Sequence, residues 1–511
     1  MRTKKTVMNL IAGFGGQLIG GILSFVARIV FVKFLSAEYL GVNGLFSNIL
    51  AILALSDLGI GTAIVYSLYE PVAKGDEDAI CRLMNLYKYA YRVIALVIFV
   101  MGTAICPFLN VFIKGDPGIE HLRVIYMMYL LDVVASYLVA YKTTIFHAEQ
   151  KIYVRLIIEQ IVNAVRIIFQ IVVLALTGNF ILYLLLQIIG SLFTNLWVSH
   201  EVDKTHPYLK HGRGLPDKKT TKDIIKNVKA MSMHRLGTVI VQGTDNMLMS
   251  VFVGLTSVGI YSNYNLIISN VNTLFYKIYN ALVGGVGNLV ATEEDEKIYE
   301  VYRTIEFALY LFFAFVSAGL ICFFNPVVRI FFGEKYLFSM PIVACIVINF
   351  YITGMRQANL MFRDAMGLFW YDRYKPVAES VINLIVSVYL VRHYEVIGIF
   401  IGTIVSSLTV DFWVEPYVLM KYGMKTDWKK RLKKYFALYG IRTVTAAAAG
   451  AVSWMACCKI PDRNLLWIIV KIMVFSAVYL LCMAAAFSRK REFQDIVRRA
   501  GELVKRILKK K

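Results

Sequence analysis

The segments Leu40-Gly41-Val42 and Val258-Gly259-Ile260 mark an internal repeat that decides the fold of this 511-residue chain. The same shift of 218 positions (258 minus 40) places the acidic loop Asp76-Glu77-Asp78 on Glu294-Asp295-Glu296. With drifts of a few residues, it also relates Glu159/Asn163 to Glu379/Asn383 and Asn195-Leu196-Trp197-Val198 to Asp411-Phe412-Trp413-Val414. One register kept through apolar stretches and loops indicates two copies of one unit. Such duplication is typical of secondary transporters, whose substrate sites lie where the copies meet near the bilayer midplane.

The composition is that of an integral membrane protein. Apolar residues make up 58% of the chain and occur in stretches of about 20, long enough to cross roughly 30 Å of hydrocarbon as helices. We place fourteen spans near residues 7–34, 41–69, 86–113, 121–143, 152–176, 179–200, 230–253, 258–291, 303–325, 338–362, 375–392, 396–420, 436–458 and 465–488. The predicted fold is all-α, with two six-helix bundles and two extra C-terminal spans. Each copy has six spans, an even number, so the second copy enters the membrane in the same orientation as the first. The bundles are therefore expected to be related by a pseudo-two-fold axis along the membrane normal.

The distribution of basic residues predicts the orientation. The formal charge is +21, and Lys and Arg gather in residues 201–229 and 421–434. By the positive-inside rule both segments face the cytoplasm, as do both termini of a protein of the bacterial plasma membrane. Loop placement of the charge excludes nucleic acid as a partner and favours membrane lipid. The expected domains are an N-terminal bundle (1–200), a basic linker (201–229), a C-terminal bundle (230–420), a basic loop with two spans (421–488) and a basic amphipathic tail (489–511).

Catalytic and metal-binding patterns are missing from the sequence. It contains no GxxxxGK[ST] phosphate loop and no GxSxG nucleophile motif, and its seven histidines do not pair at metal spacing. The seven cysteines lie mostly in apolar runs without CxxC spacing. We therefore expect no enzyme activity, no catalytic residue, no metal and no cofactor.

Charged residues inside the spans are the strongest candidates for function, because each costs about 2.5–3.5 kcal/mol at the centre of a lipid-facing helix. The cations are Arg28, Arg166, Arg235, Lys277 and Arg356, and the acids are Asp57, Asp132 and Asp245. Five cations against three acids predict a surplus of positive charge that favours an anionic ligand. The i, i+4 pairs Arg155/Glu159 and Lys375/Glu379 are interpreted as structural. Lys142 and Arg363, at span ends, are interpreted as snorkelling.

Three further segments carry a pattern. Residues 258–291 are rich in aromatic and amide side chains, which suit either a saccharide path or an interfacial belt with interhelical amide bonds. These side chains are Tyr261, Tyr264, Phe275, Tyr276, Tyr279, Asn263, Asn265, Asn270, Asn272 and Asn280. The tail at 488–511 alternates apolar residues and cations, which predicts a helix lying on anionic lipid or a solvated basic end. Ala12, Gly16 and Gly20 form a small-residue stripe that predicts close helix packing.

The run Leu55-Ser56-Asp57-Leu58-Gly59-Ile60-Gly61-Thr62-Ala63, the preceding Leu40-Gly41-Val42, and the second-copy Thr244-Asp245-Asn246 with Val258-Gly259-Ile260-Tyr261-Ser262 resemble the bacterial polysaccharide-export flippases. These belong to the multidrug/oligosaccharidyl-lipid/polysaccharide exporter superfamily. The resemblance covers essentially the whole chain. It implies translocation of undecaprenyl-pyrophosphate-linked oligosaccharide units from the inner to the outer leaflet by ion-coupled alternating access. It also implies a cationic cavity with an arginine in the first span, for which Arg28 is the match in kind.

These observations define the expected site. Arg28, Arg235, Lys277 and Arg356, with Arg166, are predicted to bind the pyrophosphate, since guanidinium groups bind phosphate oxygens in pairs. Asp245, with Asp57, is predicted to serve ion coupling or gating by H⁺ or Na⁺. Polysaccharide-assembly enzymes are further candidate partners. The alternatives are a multidrug/cation antiporter of the same superfamily, a membrane glycosyltransferase or ligase, and a scaffold for glycan enzymes.

Overall fold

The computed structural model describes residues 2–54, 60–210, 214–462 and 464–508. The chain is almost entirely helical within these ranges, and no strand occurs in them. The helices are α1 (Arg2–Phe34), α2 (Ala37–Leu53), α3 (Ile60–Lys74), α4 (Glu77–Ile105), α5 (Leu122–Ala140), α6 (Thr144–Ala148), α7 (Ile152–Thr177), α8 (Phe180–Thr205), α9 (Lys218–Phe252), α10 (Leu255–Thr292), α11 (Asp295–Phe332), α12 (Met340–Met355), α13 (Gln357–Ala365), α14 (Lys375–Ser406), α15 (Phe412–Val418), α16 (Trp428–Cys457), α17 (Leu465–Phe487) and α18 (Arg491–Leu508).

The predicted all-α membrane fold is confirmed, and each of the fourteen predicted spans falls largely on helix. Eight helices in the described ranges are long and apolar enough to cross a membrane by length and composition. Where two predicted spans met near residue 394, α14 changes course at Glu395, whose φ of 50° and ψ of −131° are not helical. Beyond this point Gly402 packs on Ser387, where a Cβ would lie 2.0 Å from the serine Oγ. The two parts of α14 therefore lie side by side as a hairpin.

The repeat is visible in a reciprocal contact between α2 and α10, which begin at equivalent positions of the two copies. A Cβ placed on Gly41 would lie 2.1 Å from the carbonyl oxygen of Leu255, and one placed on Gly259 would lie 2.0 Å from that of Ala37. Leu255 and Gly259 are Ala37 and Gly41 shifted by 218 positions, so exchanging the two helices reproduces the same pair of contacts. Such self-complementary contact is the property of a two-fold axis. Only glycine permits this approach of two backbones.

The chain forms two compact units, Met1–Leu274 and Phe275–Lys511. In the second unit α16 and α17 pack on α11 around an aromatic core that includes Phe307, Tyr310, Phe475 and Tyr479. Arg442 of α16 forms a buried ion pair with Glu306 of α11. The extra spans are thus fixed to the repeat by packing and by charge.

The tail is helical, as predicted, and its first turns pack on the protein. Phe493 and Ile496 pack against the core of the second unit. Glu492 pairs with Arg303, and Arg491 lies 2.6 Å from Glu300. These contacts attach residues 491–496 to α11, and the position of the tail on anionic lipid stays a prediction. The side chains of residues 503–508 lie outside the described set.

Candidate functional site

A polar cavity of about 440 Å³ lies inside the first unit, between α5, α7 and α8. Its lining is rich in amides and hydroxyls: Ser136, Gln160, Asn163, Gln187, Ser191, Thr194 and Asn195, with Arg155, Glu159, Val162, Arg166 and Gly190. Amide and hydroxyl groups both donate and accept hydrogen bonds, so such a lining suits a ligand that does the same. The volume lies in the usual range for small-molecule sites, roughly 300–1,000 Å³.

The side chain of Arg166 crosses α8 at Gly190, where the missing side chain leaves room for it. A Cβ on Gly190 would lie 2.6 Å from Arg166 Cδ, so the arginine stem crosses α8 where a side chain is missing. The guanidinium Nη2 donates to the neutral Asn163 Oδ1. Asp132 lies farther away beside Gln187 and Ser191, and its buried Oδ1 has no hydrogen-bond partner in the described part of the chain. Among the described residues, Arg166 therefore has no carboxylate in direct contact.

A second cavity, of about 220 Å³, lies between α1, α7 and α10 and shares Gln160 and Asn163 with the first. The predicted small-residue stripe of α1 forms part of its wall. A Cβ on Gly16 would lie 2.6 Å from Gln160 Cγ, and one on Gly20 would lie 3.1 Å from Gln160 Oε1. The close packing predicted for Gly16 and Gly20 is confirmed, with α7 as the approaching helix, whereas the side chain of Ala12 lies outside the described set. Because Gln160 and Asn163 line both cavities, the polar lining continues from one to the other.

Arg28, the candidate matched by resemblance, lies on α1 facing the start of α10. Its Nη1 donates to Ser262 Oγ at 2.9 Å and to Asn263 Oδ1 at 3.4 Å. Both of these acceptors are neutral, so these two bonds orient the guanidinium without compensating its charge. Arg28 and Arg166 both belong to the first unit.

The remaining candidates are described less fully. Asp245 is half-buried on α9 and interacts with Tyr261. The backbone at Arg235 is helical, but its side chain lies outside the described set, as does the whole of Asp57 with the run 55–59. Lys277, half-buried on α10, belongs to the second unit.

Arg356 has a different environment from the one expected. Its guanidinium lies 2.7 Å from Asp411, 2.7 Å from Glu415 and 3.8 Å from Glu379, all with side chains at most 13% exposed. Lys375 completes this ion cluster through Glu415 and, at 3.5 Å, Asp411. Asp411 ends a π-helical turn, Ser407–Asp411, which directs it inward beside Glu415. Three carboxylates around two cations compensate the charge of Arg356, so it is a poor ligand for a pyrophosphate.

The count of interior charges was wrong because it left out acids that lie within helices. Glu306, Asp411 and Glu415 are each at most 4% exposed. They pair with cations of the second unit, so the expected surplus of positive charge does not hold there. All three acids lie in predicted spans, 303–325 and 396–420, but the sequence does not show their ion pairs, because the partners lie on other helices.

The predictions for the i, i+4 ion pairs and for the cations at span ends have different outcomes. The Arg155/Glu159 pair is confirmed, at 2.5 Å. The equivalent Lys375/Glu379 pair is wrong, since Lys375 contacts Glu415 and Asp411 instead. Lys142 forms an ion pair with Asp203, and Arg363 forms ion pairs with Asp364 and Asp372, so neither merely snorkels.

The aromatic residues of α10 are mainly core. Tyr264, Phe275 and Tyr279 are at most 9% exposed, which leaves no ring face for a sugar, whereas Tyr276 is 46% exposed. Among the amides, Asn270 lines the smaller cavity and Asn263 binds Arg28. The saccharide interpretation of this helix thus fails for the three buried rings.

Sequence reasoning missed most of the larger cavity. Its signal was present on α8, where Gln187, Ser191, Thr194 and Asn195 are spaced so that they share one helix face in an apolar span. A neutral polar residue in an apolar span is a weaker signal for a site than a charged residue, although both are costly to place in lipid.

The fold places the chain with known membrane transporters. It matches a lipid II flippase, MurJ, in an inward closed conformation, with a TM-score of 0.67, 15% identity, and coverage of 94% of this chain and 99% of the other. It also matches an inward-facing MATE multidrug-resistance transporter of the MOP superfamily, with a TM-score of 0.63, 16% identity, and coverage of 83% and 99%. A point mutant of the Vibrio cholerae MATE transporter VcmN matches with a TM-score of 0.57, 13% identity, and coverage of 83% and 99%. The chain is therefore a multi-pass membrane protein of this transporter fold.

The sequence comparison assigns the chain to a narrower group of proteins than the fold comparison does. A profile described as polysaccharide biosynthesis protein matches residues 6–283, more than half of the chain. No curated protein matches the sequence at a significant level. The chain belongs to the polysaccharide biosynthesis protein family, and the resemblance to polysaccharide exporters is confirmed.

Proposed function

We propose that this protein is a flippase that moves undecaprenyl-pyrophosphate-linked oligosaccharide units from the inner to the outer leaflet of the bacterial plasma membrane. The observation that carries the proposal is the polar interior of the first unit, where Arg166 contacts a neutral amide in an otherwise apolar bundle. Membership of the polysaccharide biosynthesis family supports the substrate class. A neighbour of the same fold is named a lipid II flippase, which supports transport of a lipid-linked substrate.

Charge supports an anionic ligand in the first unit. A pyrophosphate carries at least two negative charges, and taking it out of water requires cations close to its oxygens. Arg166, whose guanidinium donates to a neutral amide, is accordingly a proposed headgroup ligand. Arg28, the arginine of α1 that matches by resemblance, is the second, and Arg235 and Lys277 are further candidates. Arg356 is left out because the carboxylates around it would repel the phosphate.

The remaining features of the transport cycle belong to the same proposal. Both termini face the cytoplasm by the positive-inside rule, and bundles 1–200 and 230–420 alternate access to the two sides. H⁺ or Na⁺ supplies the driving force, with Asp245 and Asp57 as coupling groups. The prenyl chain remains in lipid, and the protein transports without covalent chemistry.

The experiment is a flipping assay in proteoliposomes with undecaprenyl pyrophosphate linked to a short glycan, scored by access of an external glycan-oxidising reagent. We expect Arg28→Ala and Arg166→Ala each to reduce the initial rate roughly tenfold or more, the range for one lost hydrogen bond to a charged group. The control Arg329→Ala alters a half-exposed arginine of α11 that lies 3.7 Å from Glu334, and it should keep the wild-type rate. Full activity of both first-unit variants would refute the headgroup assignment, and export of cationic dyes without glycolipid flipping would support the antiporter instead.

A further inference from the structure

Several residues that line the larger cavity have counterparts in the second copy, and most of these counterparts form a buried ion cluster instead of a cavity. At a shift of 220 positions, Arg155, Glu159 and Asn163 fall on Lys375, Glu379 and Asn383. The alignment of the tryptophan segments places Asn195 on Asp411. All of these first-copy residues line the cavity. All of the second-copy residues except Asn383 belong to the ion cluster.

The two copies therefore differ at equivalent places of the repeat: one has an interior filled by paired charges, and the other has an open polar cavity. In the second copy Arg356 reaches Asp411 at 2.7 Å and occupies the interior with paired charges. In the first copy a neutral residue, Asn195, corresponds to Asp411, Arg155 pairs with Glu159, and about 440 Å³ stays open. Structural need alone would favour a filled interior, since an open polar cavity loses packing contacts.

From this asymmetry we infer that the first-unit cavity is a saccharide subsite, which binds neutral sugar residues of the lipid-linked substrate. The inference rests on the proposed function and specifies the part of the substrate that this cavity recognises.

The chemistry of the lining fits hydroxyl-rich ligands. A sugar hydroxyl donates one hydrogen bond and accepts others, and amides and hydroxyls are the side chains that complement both roles. Such groups come from α8 and from α7, with Gln187 and Thr194 on the first helix and Gln160 on the second. Glu159, the carboxylate of the lining, is paired with Arg155 at 2.5 Å, which reduces its attraction for a cation.

The position of Arg166 joins this subsite to the headgroup. Arg166 and Asn163 lie one turn apart on α7, and Asn163 is shared with the smaller cavity towards α1 and α10. A pyrophosphate at Arg166 would thus have its first sugar within reach of Gln187 and Ser191. The volume admits a mono- or disaccharide and excludes a long glycan, so the remaining sugars must extend beyond the cavity.

Binding of two probes tests the inference. The full-length protein in nanodiscs is titrated with bare undecaprenyl pyrophosphate and with the same lipid linked to a neutral disaccharide of N-acetylhexosamine and hexose. The wild type should bind the glycosylated probe more tightly. Thr194→Val and Gln187→Leu should each reduce that preference roughly three- to tenfold, the range for one lost hydrogen bond, while the affinity for the bare lipid stays unchanged. Thr445→Val, the same kind of change at a half-buried threonine of α16 in the second unit, should alter neither affinity.

A second variant fills the cavity in the way that the other copy does. Ser136→Arg combined with Asn195→Asp introduces a cation and a carboxylate into the lining of the cavity. We expect loss of the sugar preference and a melting temperature at or above the wild-type value. The melting temperature separates a filled cavity from a misfolded chain.

The outcomes separate the two proposals. If the cavity variants leave the sugar preference intact, or weaken both probes equally, the saccharide subsite is overturned. A decrease for both probes in Arg28→Ala would still support the flippase in that case. If the wild type binds neither probe, the proposed function fails, and the saccharide subsite fails with it.

Discussion

Replacing Gly259 by alanine tests the reciprocal contact between α2 and α10. The new Cβ would lie 2.0 Å from the Ala37 carbonyl oxygen, whereas Cβ atoms essentially never lie within 3.0 Å of another heavy atom. The helices must separate by about 1 Å, and overpacking of this kind costs about 1–3 kcal/mol. Unfolding in mixed micelles, followed by circular dichroism, measures that cost.

Symmetry makes the prediction more specific. Gly41→Ala produces the equivalent clash, at 2.1 Å from the Leu255 carbonyl oxygen, so its cost should equal that of Gly259→Ala within about 0.5 kcal/mol. One separation of the helices relieves both clashes. The double variant should therefore lose less stability than the sum of the single variants.

The control is Gly284→Ala on the same helix, where an added Cβ meets no atom within 4 Å. It should be neutral or stabilising by up to about 1 kcal/mol, because alanine favours helix over glycine. Additive costs in the double variant, or a neutral result for either Gly41 or Gly259, would refute the two-fold contact.

Two further predictions concern charge. Arg356→Met should destabilise the protein by about 3–5 kcal/mol, because it leaves Asp411 and Glu415 buried with Lys375 as their cation. The control Arg329→Met, at a half-exposed site, should cost less than about 1 kcal/mol. Chemical unfolding measures both losses of stability, and equal losses would contradict the buried cluster. Between α6 and α7, partial burial raises the pKa of Glu149, but hydrogen bonds and charge from His206 and Lys151 outweigh it and lower the pKa from 4.5 to about 2. A depressed pKa stabilises the fold above pH 4.5 and loses that effect as the pH falls towards 2, so the melting temperature of Glu149→Gln should approach that of the wild type over this window; a constant difference would refute the assignment.

The sequence was sufficient for the fold because the relevant signals are local. Apolar length predicts spans, and one glycine-centred triplet repeated 218 positions later predicts the duplication. The site was predicted less well, since it depends on which residues of different helices meet. Arg356 looked like a free cation because Asp411 and Glu415 lie more than 50 positions away in sequence. Thr194 and Gln187 were overlooked because a neutral polar residue gives a weaker signal than a charge.

The two copies agree at their helix starts and differ in their interiors, and this difference has a physical reason. At the contact of α2 and α10, backbone meets backbone, and the approach tolerates only glycine in either copy. In the interiors, side chains decide, and a buried ion cluster and a solvated polar cavity are alternative ways to satisfy polar groups away from lipid. The cluster pairs its charges internally, through Arg356 and Lys375 with Asp411 and Glu415, whereas the polar groups of the cavity face open space. A duplicated bundle can thus fill the interior of one copy with ion pairs and keep a polar cavity in the other.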